Sequence, residues 1–316
     1  MTDTNLGIID SIGNTPLVQL NHVVPEGYAR VLVKIESQNP TGSMKDRMAR
    51  AVLSGAISRG QLTADGTVVE YTGGSTGTSL AFVCAALGYS LTIVTSDAFS
   101  LEKRNHMRAL GAAVIEIPSE GGRTTKALIQ KMIAKAQEIS AAPNSYFVDQ
   151  FNNPDAADGY IPMAEEIWDQ SGQNIDAFVQ SVGTAQCLTG VSAAFRKLND
   201  QVQIVAVEPS ESPVLAGGIA GPHKIEGVGP GFVPPIWTDH LADEIIAVST
   251  ADAKDMTRRL AREEALFAGT STGANVLAAI QVAGRLGAGH TVATVACDSG
   301  LKYLSTDLYA FTESEF

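Results

Sequence analysis

Two kinds of apolar stretch alternate along the chain. Short runs rich in Val and Ile, such as 31–35 and 177–181, are typical of buried strands. Longer stretches with an apolar residue at every third or fourth position, such as 124–139, are typical of amphipathic helices. The runs predicted as strands are 31–35, 67–71, 91–94, 114–117, 146–148, 177–181, 204–207 and 291–296. The stretches predicted as helices are 47–58, 76–87, 101–110, 124–139, 159–171, 188–198, 252–264 and 273–286.

This alternation predicts an α/β fold in which helices cover mostly parallel sheets. The pattern occurs on both sides of a break near 152–158, and a loop-rich stretch covers 210–235. A chain of 316 residues is long enough for about two domains. In such sheets, ligands bind outside the carboxyl ends of the strands, so we expect the functional residues in the loops that follow them.

Composition narrows the classes of function. The 34 acidic residues outnumber the 22 basic ones, and the net charge of −12 disfavours binding to nucleic acid or to a membrane surface. The chain shows neither a signal-peptide pattern at its start nor an apolar run of membrane-spanning length, so we expect a cytoplasmic protein. The three cysteines form no CxxC motif and the five histidines are scattered, so we expect neither a disulfide framework nor a metal site.

One loop brings a lysine to the start of a helix. Lys45 lies in the segment Asn-Pro-Thr-Gly-Ser-Met-Lys-Asp-Arg, between a predicted strand and a predicted helix. A helix N-terminus disfavours positive charge, which favours the neutral amine. A neutral amine is the form that attacks a carbonyl group. The alternative is an ordinary solvated lysine, and this loop alone does not decide between the two.

Four more loops combine glycines with polar groups. The loops at 72–77 and 183–190 each join a strand to a helix, where N–H groups bind a carboxylate or a phosphate. The second is not a Walker A loop, because no Lys-Ser/Thr pair follows its glycines. The segment 226–232 is dense in glycine, which suits close approach of the backbone to a ligand. The loop at 297–300 offers a hydroxyl, on Ser299, for a ring nitrogen.

Taken together, these five loops resemble those of the cysteine synthase group of fold-type II pyridoxal-phosphate enzymes. That group includes O-acetylserine sulfhydrylase and cystathionine β-synthase. Further shared motifs lie at 13–17, 208–209, 221–225 and 303–306, so the resemblance covers essentially the whole chain. It implies a tryptophan synthase β-like fold of two three-layer domains. The smaller would span 45–148 and the larger 1–44 with 149–316, with the cofactor in the cleft between them.

The resemblance also implies roles for single residues. Lys45 would form a Schiff base with pyridoxal 5'-phosphate and act as the catalytic base, and Ser299 would face the pyridine nitrogen. The phosphate loop would consist of Gly183, Thr184, Ala185, Gln186 and Cys187. The substrate would be bound by Thr72, Gly73, Ser75, Thr76, Gln150 and Gly227, with Ser75 also near the cofactor.

The reaction implied is β-replacement on an activated serine. O-acetyl-L-serine would lose acetate to give an α-aminoacrylate, and sulfide would add to give L-cysteine. A homodimer is a further expectation from the resemblance, and a serine acetyltransferase as partner stays open. Other donors and acceptors stay open, namely O-phosphoserine as the donor and a thiol, an amine or water as the acceptor. So does a β-elimination lyase or dehydratase.

Two loops depart from the usual pattern of the family. The carboxylate loop usually reads Thr-Ser-Gly-Asn-Thr-Gly, but here Gly73 replaces the serine and Ser75 the asparagine. The phosphate loop usually reads Gly-Thr-Gly-Gly-Thr, and the last three positions here are Ala, Gln and Cys at 185–187. One side-chain hydroxyl for the phosphate is therefore lost, and the backbone N–H groups would hold it.

Two rival interpretations come from other classes of protein. The segments 73–77 and 269–273 both fit the GxSxG pattern of serine hydrolases, with His223 or His290 as the base. That interpretation explains none of the other four loops. The altered loops also fit a non-catalytic regulatory relative that keeps the fold, although Lys45 argues against it.

Overall fold

The computed structural model describes residues 7–122 and 125–310, which divide into two compact units. The first unit runs up to Gly13 and then from Asn39 to Gly159, and the second comprises Asn14–Gln38 and the chain from Tyr160 onward. The predicted small domain, 45–148, lies within the first unit, which reaches further at both ends and includes Gln150. The prediction of a cofactor cleft stays a prediction.

The strands are short, as expected for buried parallel strands. In chain order they are β1 (Leu17–Gln19), β2 (Arg30–Ile35), β3 (Thr67–Tyr71), β4 (Ser90–Ser96), β5 (Ala113–Ile117), β6 (Ser145–Phe147), β7 (Ala177–Ser181), β8 (Gln203–Pro209), β9 (Glu244–Val248) and β10 (Thr291–Ala296). The eight predicted strands are all present. Two were not predicted. Strand β1 has only three residues, none of them buried, and the apolar run at 245–248 in the partly buried β9 was overlooked.

The helices are α1 (Lys45–Ser58), α2 (Ser75–Leu87), α3 (Leu101–Ala109), α4 (Lys126–Ser140), α5 (Asp155–Asp158), α6 (Ile161–Gln170), α7 (Gln186–Leu198), α8 (Thr250–Glu263) and α9 (Thr270–Leu286). The single helix predicted over 159–171 is wrong in its first turn. Gly159 ends α5, and Pro162 lies in the first turn of α6, where its missing N–H is tolerated. Gly159 also packs closely, since a Cβ there would lie 2.6 Å from the carbonyl oxygen of Arg47.

The first unit is built on a four-stranded parallel sheet in the order β5-β4-β3-β6. Its two central strands, β3 and β4, bury Val68, Val69, Ile93 and Val94, as the apolar runs predict, and they also bury the polar Glu70. Helix α4 packs on this sheet, and Leu128 and Met132 join Val69 and Val94 in one buried cluster. Helix α2 follows β3 directly, so its first turn is anchored at the carboxyl end of a buried strand.

The second unit is built on a six-stranded sheet in the order β1-β2-β10-β7-β8-β9. Strand β1 is antiparallel to β2, and every other neighbouring pair is parallel. Helix α9 packs on this sheet, with Val276 and Val282 fully or almost fully buried in its core cluster. The predicted α/β class with mostly parallel sheets is confirmed.

The negative expectations can be compared with the described residues alone. Within 7–122 and 125–310, no three His, Cys, Asp or Glu side chains are grouped so that they could hold a metal ion. No helix in that part of the chain is long and apolar enough to cross a membrane. The three cysteines are buried thiols, and burial raises the pKa of the Cys84 thiol to about 12.

Candidate active site

The loop that carries Lys45 is fixed by the side chain of the next residue. The buried carboxylate of Asp46 accepts hydrogen bonds from the backbone N–H of Thr41 at 2.8 Å and from its hydroxyl at 2.5 Å. Lys45 is the first residue of α1, and its N–H donates to the hydroxyl of Ser43 at 3.3 Å. The loop therefore places a half-buried lysine in the first turn of a helix, whose N-terminus carries partial positive charge.

The loop at 72–77 turns tightly between β3 and α2. The N–H of Gly74 donates to the hydroxyl of Thr72 at 3.0 Å. A Cβ on Gly74 would collide with the aliphatic stem of Lys103, and a Cβ on Gly73 would lie 2.6 Å from the ring of Phe99. The ring of Phe99 therefore occupies the space that a side chain at position 73 would need. This accounts for the glycine where the family usually has serine.

Gln150 meets this loop. Its Oε1 accepts a hydrogen bond from the hydroxyl of Thr76 at 2.8 Å, and its Nε2 donates to the carbonyl oxygen of Tyr71 at 3.3 Å. The backbone N–H of Gln150 donates to the buried carboxyl group of Glu70 at 3.1 Å. Ser75 is the first residue of α2, one position before Thr76. The structure thus brings together the predicted substrate-binding residues of the first unit, and their roles stay predictions.

The predicted phosphate loop lies in the second unit, between β7 and α7. Ala185 has a left-handed backbone (φ 65°) and stands just before the helix, and its methyl group cannot accept a hydrogen bond from the first turn. A Cβ on Gly183 would collide with the carbonyl oxygen of Gly227. The N–H of Gly229 donates to the carbonyl oxygen of Val182 at 2.9 Å. The glycine segment at 226–229 therefore lies directly on this loop.

The side chains of the loop are mostly turned inward. Gln186 and Cys187 are buried, whereas Thr184 is half-buried. Gln186 opens α7, a helix of 13 residues. Since the N-terminus of a helix presents N–H donors and partial positive charge, the loop fits a phosphate group through its backbone.

Ser299 follows β10 in the same unit. Its hydroxyl oxygen accepts a hydrogen bond from the N–H of Leu301 at 3.3 Å, which leaves the hydroxyl proton to donate elsewhere. The neighbouring Asp298 accepts a hydrogen bond from the buried hydroxyl of Tyr303 at 2.8 Å. Burial and the adjacent carboxylate raise the pKa of Tyr303 well above its usual value. The serine is therefore held in a rigid, partly buried turn.

One buried amide ties the carboxyl ends of β7 and β10 together. These strands are parallel neighbours, so the loops that follow them begin side by side. Asn275 in α9 accepts a hydrogen bond from the N–H of Ser181 at 2.6 Å and donates to the carbonyl oxygen of Val295 at 2.9 Å. Its Nδ2 also lies 3.3 Å from Sγ of Cys297. Sequence reasoning missed Asn275, and its place in the first two turns of a helix after a Ser/Thr-rich segment was the available signal.

The histidines required by the hydrolase interpretation have structural contacts. Nε2 of His223 lies 2.8 Å from the carbonyl oxygen of Gly229, and its Nδ1 accepts from the N–H of Ile225 at 3.3 Å. His290 lies beside Asp176, with 3.0 Å between Nδ1 and the carboxylate. Both rings thus hold together parts of the second unit.

The geometry defines an α/β enzyme with a lysine at a helix start, a loop suited to a carboxylate and a loop suited to a phosphate. Comparison with known proteins agrees with this class. A family model described as "Pyridoxal-phosphate dependent enzyme" matches residues 8–298. A protein named cysteine synthase from Staphylococcus aureus is 42% identical over 308 residues, which is 97% of both chains.

Solved structures give the same result. The O-acetyl serine sulfhydrylase isoform 3 of Entamoeba histolytica superposes with a TM-score of 0.90 at 35% identity, covering 99% of this chain and 95% of that one. The O-acetylserine-dependent cystathionine beta-synthase of Helicobacter pylori has a TM-score of 0.89 at 33% identity, covering 98% of this chain and 100% of that one.

The chain belongs to the family of pyridoxal-phosphate-dependent enzymes. The residues present suit that cofactor, which carries a phosphate, an aldehyde and a ring nitrogen. The start of α7 together with Gly183 offers backbone donors and room for a phosphate. Lys45 offers an amine for the aldehyde and Ser299 a hydroxyl for the ring nitrogen. The predicted enzyme class and cofactor are confirmed, whereas the assignment of each residue stays a prediction.

Proposed function

We propose that this protein catalyses the replacement of the β-acetoxy group of O-acetyl-L-serine by sulfide, which yields L-cysteine and acetate. The observation that carries the proposal is the hydrogen bond between Thr76 and Gln150, which assembles a carboxylate-binding loop in the same unit as Lys45. The cysteine synthase relative and the O-acetyl serine sulfhydrylase structure support this choice of substrate.

Different residues of the chain bind the substrate and transfer the proton. Thr72, Thr76 and Gln150 bind and orient the α-carboxylate of the substrate through hydroxyl and amide groups. Lys45 would hold the cofactor through its aldehyde group. The amine of Lys45 would also be the base that takes the proton from the α-carbon of the substrate.

When bound, pyridoxal phosphate supplies an electron-withdrawing ring that stabilises negative charge at that carbon. Ser299 would offer the ring nitrogen a hydrogen bond from a neutral hydroxyl group, which would not require that nitrogen to carry a full positive charge. In the overall reaction the Cβ–O bond breaks, acetate leaves and a Cβ–S bond forms. The proton held by Lys45 returns to the α-carbon of the product.

The test is a direct assay of the purified holoenzyme with O-acetyl-L-serine and sulfide. We expect L-cysteine and acetate in equal amounts, identified by mass spectrometry. Formation of pyruvate and ammonia at the same rate with and without sulfide would instead show a β-eliminating lyase. Lys135→Ala is a matched control for Lys45→Ala, because Lys135 is a lysine of α4 that pairs with Glu138 at the surface.

The remaining expectations join this proposal. We propose a homodimer, which light scattering of the purified protein tests directly. Mixing with a serine acetyltransferase followed by size-exclusion chromatography tests the proposed partner. Cytoplasmic localisation stays a prediction.

A further inference from the structure

Strand β6 stops pairing with β3 just before Gln150. The register pairs Thr67, Val68 and Val69 with 145–147, and the N–H of Val148 still donates to the carbonyl oxygen of Val69 at 3.0 Å. If the parallel ladder continued, the N–H of residue 150 would bond to the carbonyl oxygen of residue 71. It does not, because Asp149 has a left-handed backbone with φ 48°, which turns the chain.

Beyond the end of the ladder, the side chains of Glu70 and Gln150 make the hydrogen bonds between the two segments. The backbone N–H of Gln150 donates to Oε2 of Glu70 at 3.1 Å, and the amide side chain of Gln150 donates to the carbonyl oxygen of Tyr71 at 3.3 Å. The other oxygen of Glu70, Oε1, accepts the N–H of Tyr71 at 2.8 Å. The two oxygens of Glu70 thus accept one backbone N–H each, from Tyr71 in β3 and from Gln150 in the turn after β6. The side chain therefore links β3 to that turn.

We infer that Glu70 is the positioning residue that fixes Gln150 against the carboxylate loop, and thereby sets the affinity for the α-carboxylate of the amino-acid substrate. This inference rests on the proposed function for the role of Gln150. Glu70 itself does not touch the substrate in this scheme, since both of its oxygens face backbone donors.

The burial of Glu70 supports a specific role. The side chain is fully buried, and burial raises the pKa of its carboxyl group to about 8, with the charge of Asp149 adding to the increase. The two backbone hydrogen bonds oppose this shift. Burying a carboxyl group costs free energy of solvation. An apolar residue of similar size would avoid that cost but would leave the N–H of Gln150 without this acceptor.

The test substitution follows from the two N–H groups that donate to Glu70. Glu70→Gln keeps the size and shape of the side chain but replaces one acceptor oxygen by an NH₂ group. Since both facing groups are N–H donors, one of them would then meet another donor. The matched control is Glu116→Gln in β5, the edge strand of the same sheet, because Glu116 pairs with Arg104 and Arg108 at a partly exposed site.

The experiment is a double-mutant cycle on the holoenzyme with Glu70→Gln, Gln150→Ala and the double variant. Two quantities are measured: KM and kcat for O-acetyl-L-serine, and the dissociation constant for L-alanine from the change in the cofactor absorption spectrum. L-alanine has the carboxylate but no leaving group. A buried N–H that loses its acceptor corresponds to about a tenfold change in an equilibrium constant. We therefore expect Glu70→Gln to raise KM and the L-alanine constant about tenfold, while kcat changes little.

The double variant decides the inference. If Glu70 acts through Gln150, the double variant binds L-alanine no more weakly than Gln150→Ala alone. Additive losses, or wild-type binding in a folded Glu70→Gln variant, would overturn the inference. If Glu70→Gln does not fold, Glu70→Asp takes its place in the same cycle, because it keeps two acceptors on a shorter side chain.

The cycle also separates this inference from the proposed function. Wild-type enzyme that makes no cysteine but shows the coupling toward L-alanine would refute the proposed reaction and support the role of Glu70. Wild-type enzyme that makes cysteine, together with additive losses of L-alanine binding in the double variant, would support the proposed reaction and refute the role of Glu70.

Discussion

The two loops that we propose as anion-binding loops are built by different means. The loop at 72–77 is shaped by side chains: Thr76 holds Gln150, and the ring of Phe99 packs against Gly73. The loop at 183–187 is shaped by backbone, since Gly183 lies against a carbonyl oxygen and Ala185 takes a left-handed conformation.

This difference shows which loop has room to vary. A side chain such as Phe99 can be replaced by a smaller one, so the first loop can change together with its neighbours. The carbonyl oxygen of Gly227 belongs to the backbone and cannot be removed by a substitution, so the fold requires glycine at position 183. The constraint therefore differs at two positions: the residue at 73 depends on a side chain that can change, whereas the residue at 183 depends on the backbone.

The largest effect is expected at Lys45, which lies outside both loops. Lys45→Ala removes the amine proposed as the general base, and such groups contribute about 10²–10⁴-fold to the rate. We expect kcat for cysteine formation to fall by at least about 10³-fold, since the covalent bond to the cofactor is lost as well. Steady-state kinetics measure this, with Lys135→Ala as the control. Substantial activity in Lys45→Ala would show that the chemistry lies elsewhere.

The second prediction concerns pH and the buried acid beside the first loop. Folding raises the pKa of Glu70 from its usual 4.5 to about 8, so between these pH values the folded state binds a proton that the unfolded state has lost. This contribution to stability is complete below pH 4.5 and is lost as the pH rises to 8. The limiting slope is about 1.4 kcal/mol per pH unit. The titratable groups facing Glu70 are Asp149, Tyr71 and Tyr146.

Glu70→Gln has no such proton, so its free energy of unfolding should decrease less between pH 5 and pH 8 than that of the wild type. Denaturant unfolding at several pH values measures this. A variant of the second loop, Gly183→Ala, should keep the wild-type pH dependence. Equal slopes in wild type and Glu70→Gln would show that Glu70 does not titrate in this range.

The third prediction addresses the backbone-built loop. Gly183→Ala forces a methyl group onto the carbonyl oxygen of Gly227, and overpacking of this kind costs about 1–3 kcal/mol. We expect the dissociation constant for pyridoxal phosphate to rise between about 5-fold and 100-fold, as 1.4 kcal/mol is a factor of about ten. Titration of the apoenzyme, followed by absorbance, measures it.

Ala185→Gly is the matched control for that loop, because its φ of 65° suits glycine better than alanine. We expect it to bind the cofactor as the wild type does. If both variants weakened binding equally, steric crowding at Gly183 would not be the cause.

The smallest effect is expected in the first loop. Gly73→Ser restores the residue usual in the family, but its Cβ would lie 2.6 Å from the ring of Phe99. We expect KM for O-acetyl-L-serine to rise about fivefold, which corresponds to a displacement costing about 1 kcal/mol. The double variant Gly73→Ser with Phe99→Ala should regain most of this loss in steady-state assays. A double variant no better than Gly73→Ser would show that Phe99 is not the obstacle.

Much of this architecture follows from local pattern. The apolar runs of β3, β7 and β10 predicted three buried strands, and the glycine- and hydroxyl-rich segments after them predicted loops at their carboxyl ends. The three-residue strand β1 escaped prediction because it is too short to show a period and none of its residues is buried. The run at 245–248 in β9 was a local signal that the prediction overlooked.

The sequence by itself determined the α/β class, the positions of the five loops and, through their motifs, the enzyme family. It did so because strand runs, helix periods and glycine turns are properties of neighbouring residues. Only the tertiary structure decided that the ring of Phe99 fills the space of a side chain at position 73. It alone also placed Asn275 between the ends of β7 and β10, and Glu70 against the backbone of Gln150. Those contacts join residues between 26 and 94 positions apart, except for Asn275 with Val295 at 20, and no local pattern encodes such distances.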